Sequence, residues 1–151
     1  MRRRSLAVLA LVASLIGLLA LTSTSATAAG AKRSTSMSGA EEVPPADPDG
    51  TGSALITLNV GQATVCWELT VSNIAPATAA HIHKAPAGVN GPVVVPLSPP
   101  TTGSSSGCTT AAPALIQDII DNPDQYYVNV HNAEFPGGAV RGQLSNRGQL
   151  T

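Results

Sequence analysis

Thr51-Gly52-Ser53-Ala54-Leu55-Ile56-Thr57-Leu58-Asn59-Val60-Gly61-Gln62-Ala63-Thr64-Val65-Cys66-Trp67-Glu68-Leu69-Thr70-Val71-Ser72 is the stretch that decides the fold. Ala54, Ile56, Leu58 and Val60 fall on one side of an extended chain, with Ser53, Leu55, Thr57 and Asn59 on the other. Ala63, Val65, Trp67, Leu69 and Val71 repeat the pattern against Thr64, Cys66, Glu68, Thr70 and Ser72. A period of two with one apolar face marks a half-buried antiparallel strand. The short link through Val60-Gly61 turns the two strands into a hairpin.

Further short strands are predicted outward from the hairpin, over residues 78–83, 92–97, 107–111, 126–131 and 139–144. A first edge strand is expected at 36–40. Residues 41–50 form a proline-rich loop whose acids, Glu41, Glu42, Asp47 and Asp49, match no calcium-loop spacing and read as solvated. Residues 98–107, rich in Pro, Ser, Thr and Gly, read as a flexible surface loop. The period changes at residues 113–121. There Leu115, Ile116, Ile119 and Ile120 share one face, and Pro113 suits a first helical turn. Many short strands and one small helix predict an all-β domain, a Greek-key β-barrel or sandwich.

The chain begins with a basic head, Arg2-Arg3-Arg4, an apolar run from Leu6 to Leu21 and the cleavage pattern Ala26-Thr27-Ala28. These read as a signal peptide over residues 1–28. Residues 29–35 are then a flexible leader, 36–145 the domain and 146–151 a polar tail. Beyond the signal peptide five basic residues face nine acidic ones, a formal charge of −4. That balance offers no basic patch for nucleic acid, and no second apolar span follows. The expected product is secreted, with no membrane span in the mature chain. Cys66 and Cys108 are the only cysteines, and in an exported chain two cysteines read as one disulfide. Cys66 lies opposite Trp67 on its strand, so the bond should clip a surface loop to it.

Chemistry concentrates on three histidines. His81-Ile82-His83 places two imidazoles on one face of a strand, with Ile82 pointing into the core. In Tyr126-Tyr127-Val128-Asn129-Val130-His131, the residues Tyr126, Val128 and Val130 form the apolar face, and His131 shares the other with Tyr127 and Asn129. If the two strands meet, three nitrogen donors converge. That set suits copper or zinc and leaves a coordination position open. Glu134 and Arg141 are candidate supports for the histidine rings, with Glu68 more distant. A lone strand arginine such as Arg141 most often pairs with a carboxylate. Hydrolytic chemistry has little support: no G-x-S-x-G occurs, and Gly88-Val89-Asn90-Gly91 lacks the Lys-Ser/Thr of a phosphate loop.

These blocks together resemble the CHRD domain, the module found in chordin and in many secreted bacterial proteins. The resemblance rests on Gly39-Ala40-Glu41-Glu42-Val43-Pro44-Pro45, His81-Ile82-His83, Gly88-Val89-Asn90-Gly91-Pro92-Val93-Val94-Val95, Tyr127-Val128-Asn129-Val130-His131, Pro136-Gly137-Gly138 and Val140-Arg141-Gly142-Gln143-Leu144. It implies an all-β extracellular module. The H-x-H strand is also similar to the copper-binding strand of copper/zinc superoxide dismutase, a Greek-key barrel. Three histidines are too few for that enzyme's dinuclear site. The reading is a secreted binding module with a mononuclear site on His81, His83 and His131, copper before zinc. A metal-free extracellular protein-binding domain and a copper-only redox enzyme are the alternatives.

Overall fold

The computed structural model describes residues 30–146. The signal-peptide reading of 1–28 and most of the expected tail lie outside these residues. Eight strands form one antiparallel sheet: β1 (Ala31–Ser38), β2 (Thr51–Asn59), β3 (Thr64–Ser72), β4 (Ala77–Lys84), β5 (Val93–Leu97), β6 (Ser104–Thr110), β7 (Tyr126–Asn132) and β8 (Val140–Gln143). Their order is β5-β4-β7-β8-β1-β2-β3-β6, and the sheet curls into a nearly closed barrel. The links β3 to β4, β5 to β6 and β6 to β7 join strands that are not neighbours, the crossovers a Greek-key arrangement uses.

The hairpin forms as its alternation dictates, with Ile56 opposite Trp67 and Leu58 opposite Val65. Ala54, Ile56, Leu58, Val65, Trp67 and Leu69 are buried in one core with Ile82, Val95, Val128, Val130, Val140 and Leu144. The one α-helix among the described residues, α1 (Pro113–Asp121), lays Ile116 and Ile119 on that core with no exposure. Asp118 ties it down by accepting from Lys84 Nζ at 2.6 Å and from the Tyr126 hydroxyl at 2.5 Å.

Four expectations are corrected. Residues 31–35 are no leader. They belong to β1, which pairs with β2 from Ala31 opposite Leu58 to Ser38 opposite Thr51. Nor is this an edge strand: β1 lies between β2 and β8. Its side chains are mostly polar, and Ser34 and Thr35 are nonetheless buried. The expected loop at 98–107 gives way to strand at Ser104, because β6 pairs with β3 from Thr70 opposite Ser104 to Thr64 opposite Thr110. Gly107 lies opposite Trp67, and a Cβ there would stand 2.7 Å from the indole ring. Cys66 and Cys108 are also directly opposite, with Cα atoms 4.0 Å apart. The disulfide therefore joins two adjacent strands rather than clipping a loop.

Candidate metal centre

Ile82 on β4 is fully buried. Burying such a side chain contributes about 1.5–3 kcal/mol, and it fixes which face of β4 carries His81 and His83. The neighbouring strand β7 pairs so that His81 is opposite Asn129, His83 opposite Tyr127 and Ala79 opposite His131. His131 is thus one step diagonal from His81. The rings converge, with centroids 5.0 Å apart for His81 and His131, 5.5 Å for His81 and His83, and 6.4 Å for His83 and His131. One nitrogen from each lies within 4.8 Å of the others.

This face is not the solvated one that alternation implies. Tyr127 and Asn129 are each 1% exposed and His83 is 8% exposed. Loops cover them. In the β4–β5 pairing the register shifts between Ile82 and His83, and the connecting loop folds back over the strand. Gly91 O then accepts from His83 Nδ1 at 2.8 Å. Only glycine fits there, since a Cβ would come 2.0 Å from Lys84 O. On the far side, the turn after β7 brings Pro136 O within 3.0 Å of His131 Nδ1.

A carbonyl oxygen only accepts, so the ring proton of His83 sits on Nδ1 and its Nε2 lone pair faces the other rings. His131 is flanked by an oxygen at each nitrogen, Pro136 O at Nδ1 and Asn129 Oδ1 3.0 Å from Nε2; with its proton on Nδ1, the Nε2 lone pair faces the same point. Backbone partners of this kind orient metal-binding histidines. His83 Nε2 is buried and makes no well-formed hydrogen bond. The Asn129 amide comes close enough to influence the ring, but not to close such a bond. His131 Nε2 meets His81 Nδ1 at 3.1 Å. Burial lowers the pKa of all three rings. Mutual repulsion lowers that of His81 further, and Arg141 depresses His83 and His131. The face therefore presents neutral imidazoles, the form that coordinates metal.

A stack supports His83. Its ring lies parallel to Tyr127, 4.7 Å between centroids and 6° between planes. The Arg141 guanidinium lies 4.0 Å from the Tyr127 ring, and the sheet register puts it on the β8 side. The Tyr127 hydroxyl accepts from Gly91 N–H at 3.2 Å, so the peptide that orients His83 is itself held. Arg141 is buried, and its Nε donates to Glu42 Oε2 at 3.0 Å. Its other nitrogens donate to Val89 O and Asn90 Oδ1. Glu42 comes from the loop expected to be solvated, yet it is 4% exposed and its pKa is raised by burial against the opposing pull of Arg141. Asp47, from the same loop, is buried and accepts from Gly50 N–H.

Glu134 does not reach the histidine group. It is exposed, and its described bond is from its backbone N–H to Asn132 Oδ1. Glu68 stands on β3, three strands beyond β8 in the sheet. Glu42 and Asn129 were missed as site residues. A glutamate in a proline-rich loop and an asparagine two residues before His131 carry no spacing signal that marks them. Only the sheet register and the loop return bring them in.

A small antiparallel barrel with three imidazoles converging beneath its loops defines a β domain able to hold one metal ion. The chain belongs to the CHRD domain family, whose model matches residues 33–144. Comparison with curated proteins and with solved structures found no match.

Proposed function

We propose that this chain is a secreted CHRD-domain binding module that holds one metal ion on His81, His83 and His131, copper before zinc. The observation that carries the reading is the convergence of three imidazoles, two of them oriented at Nδ1 by the Gly91 and Pro136 carbonyls. A buried nitrogen such as His83 Nε2, with no well-formed hydrogen bond, carries a desolvation cost that a metal ion would remove. Bound copper or zinc would supply a Lewis-acidic charge at this face. The protein's part is to hold the rings: Gly91 and Tyr127 fix His83, and Pro136 fixes His131. Nitrogen donors favour copper over the other first-row divalent ions, which supports the order copper before zinc.

Secretion is supported by the disulfide between Cys66 and Cys108, which suits an oxidising compartment, and by the family. Among the described residues no helix is long and apolar enough to cross a membrane.

Titration of the purified protein and of His83→Ala with Cu(II) and Zn(II) tests the proposal. Saturable binding of one ion per chain, lost in His83→Ala, is expected. Equal, weak binding by both proteins would sink the metal site and leave a metal-free binding domain.

A further inference from the structure

Asn129 stands at the centre of the histidine face. It is opposite His81 on one side and Arg141 on the other, and it is 1% exposed. Its Oδ1 lies 3.0 Å from His131 Nε2. A neutral imidazole carries one N–H; with that of His131 on Nδ1, donating to Pro136 O, two lone pairs face each other with no proton between them. Reversing the amide would relieve this by turning Nδ2 toward the ring. Reversal would turn Oδ1 toward the Glu42 carboxylate instead, whose Oε1 is buried with no well-formed partner and whose pKa, raised by burial, the nearby Asn129 amide lowers.

We propose that Asn129 Oδ1 is a fourth ligand to the ion held by His81, His83 and His131. The inference rests on the metal-binding reading above and deepens it. Two donors each about 2.0–2.1 Å from one ion stand about 2.9–3.4 Å apart at angles between square and tetrahedral. His131 Nε2 lies 3.0 Å from Asn129 Oδ1 and 3.1 Å from His81 Nδ1, both within that window. Two acceptors in contact with no shared proton are the arrangement a cation stabilises. The set becomes three nitrogens and one neutral oxygen, with the oxygen buried. Glu42, near the same amide, is anchored by Arg141. An uncharged oxygen leaves the full positive charge of a divalent ion on the site, which suits binding of an external anion or water at any remaining position.

The test combines two measurements on the purified protein. In the first, the Asn129 side-chain NH2 resonances of ¹⁵N-labelled protein are followed during Zn(II) titration. Coordination through Oδ1 polarises the amide, so these resonances should shift and saturate at one equivalent. In the second, Cu(II) affinity and the Cu(II) electron paramagnetic resonance spectrum are compared for wild type, Asn129→Leu and His131→Ala. Asn129→Leu should bind at least about tenfold more weakly, with altered g and hyperfine values. Suppose instead that Asn129→Leu keeps the wild-type affinity and spectrum while His131→Ala loses binding. The fourth-ligand assignment is then wrong and the three-histidine site stands. Absence of Cu(II) and Zn(II) binding by wild type removes both. Should Asn129→Leu not fold, the wild-type resonances decide alone: no shift at saturation overturns the assignment.

Discussion

Gly91→Ala tests how a loop sets the chemistry of a strand. A Cβ at this position would stand 2.0 Å from Lys84 O, 2.6 Å from Lys84 C and 2.8 Å from Ala85 Cβ. An ordinary contact begins near 3.4 Å, so backbone must move by about 1.4 Å. The nearest atoms are main chain and cannot rotate away. The movement carries Gly91 O from His83 Nδ1 and Gly91 N–H from the Tyr127 hydroxyl. Overpacking of this kind costs about 1–3 kcal/mol, and a lost hydrogen bond adds about 0.5–1.5 kcal/mol. A loss of about 2–4 kcal/mol in urea unfolding of the metal-free protein is expected. Metal affinity should fall about 10–100-fold, as when other partners that orient metal-binding histidines are removed. Gly137→Ala is the control: nothing lies within 4 Å of its Cβ position, and it should change neither quantity. If Gly91→Ala matches wild type in both stability and affinity, the loop does not hold His83 as argued.

Arg141→Met keeps bulk near Tyr127 but leaves Glu42 buried without its cation; urea unfolding should show a loss of about 3–5 kcal/mol. Glu42→Gln in the same chain should recover part of it, and a double variant no better than the single one would contradict the pairing. Acid should weaken the metal-free fold. The three histidines have folded pKa values below their ordinary value, so the unfolded chain takes up protons that the folded chain refuses as pH falls below about 6.5. Stability measured at pH 5.5 should be lower than at pH 7.5, and a flat profile would refute the burial of the rings. Replacing Cys66 and Cys108 by serine removes a link across 42 residues. That should cost about 4 kcal/mol in the chain-entropy account while leaving metal affinity unchanged, since the bond joins β3 to the edge strand β6.

Alternation was enough to find the β2–β3 hairpin, because Ile56, Leu58, Val65 and Trp67 bury on one side and polar residues occupy the other. The helix was legible for the same reason, with Ile116 and Ile119 at helical spacing. β1 and β6 were harder to read. Ala31-Lys32-Arg33-Ser34-Thr35-Ser36-Met37-Ser38 has one large apolar residue, and it is held by ladder bonds and neighbours rather than by an apolar stripe. Ser104-Ser105-Ser106-Gly107 resembles a linker until Trp67 requires a glycine opposite it. The histidine pair on β4 followed from its spacing of two, whereas its meeting with His131 needed the β4–β7 register. What pattern could not supply was the depth of the site. Glu42, Asn129 and Arg141 are polar residues that bury together, Glu42 and Arg141 as an ion pair, and hydropathy counts each of them as surface.

The central claim is that one ion sits among His81, His83 and His131. Crystals of the protein grown with one equivalent of Cu(II), measured at the copper edge, test it most directly. The account expects a single anomalous peak within bonding distance of the three rings, with His83 and His131 presenting Nε2. A map with no peak there, or with copper only at another surface of the domain, would contradict it.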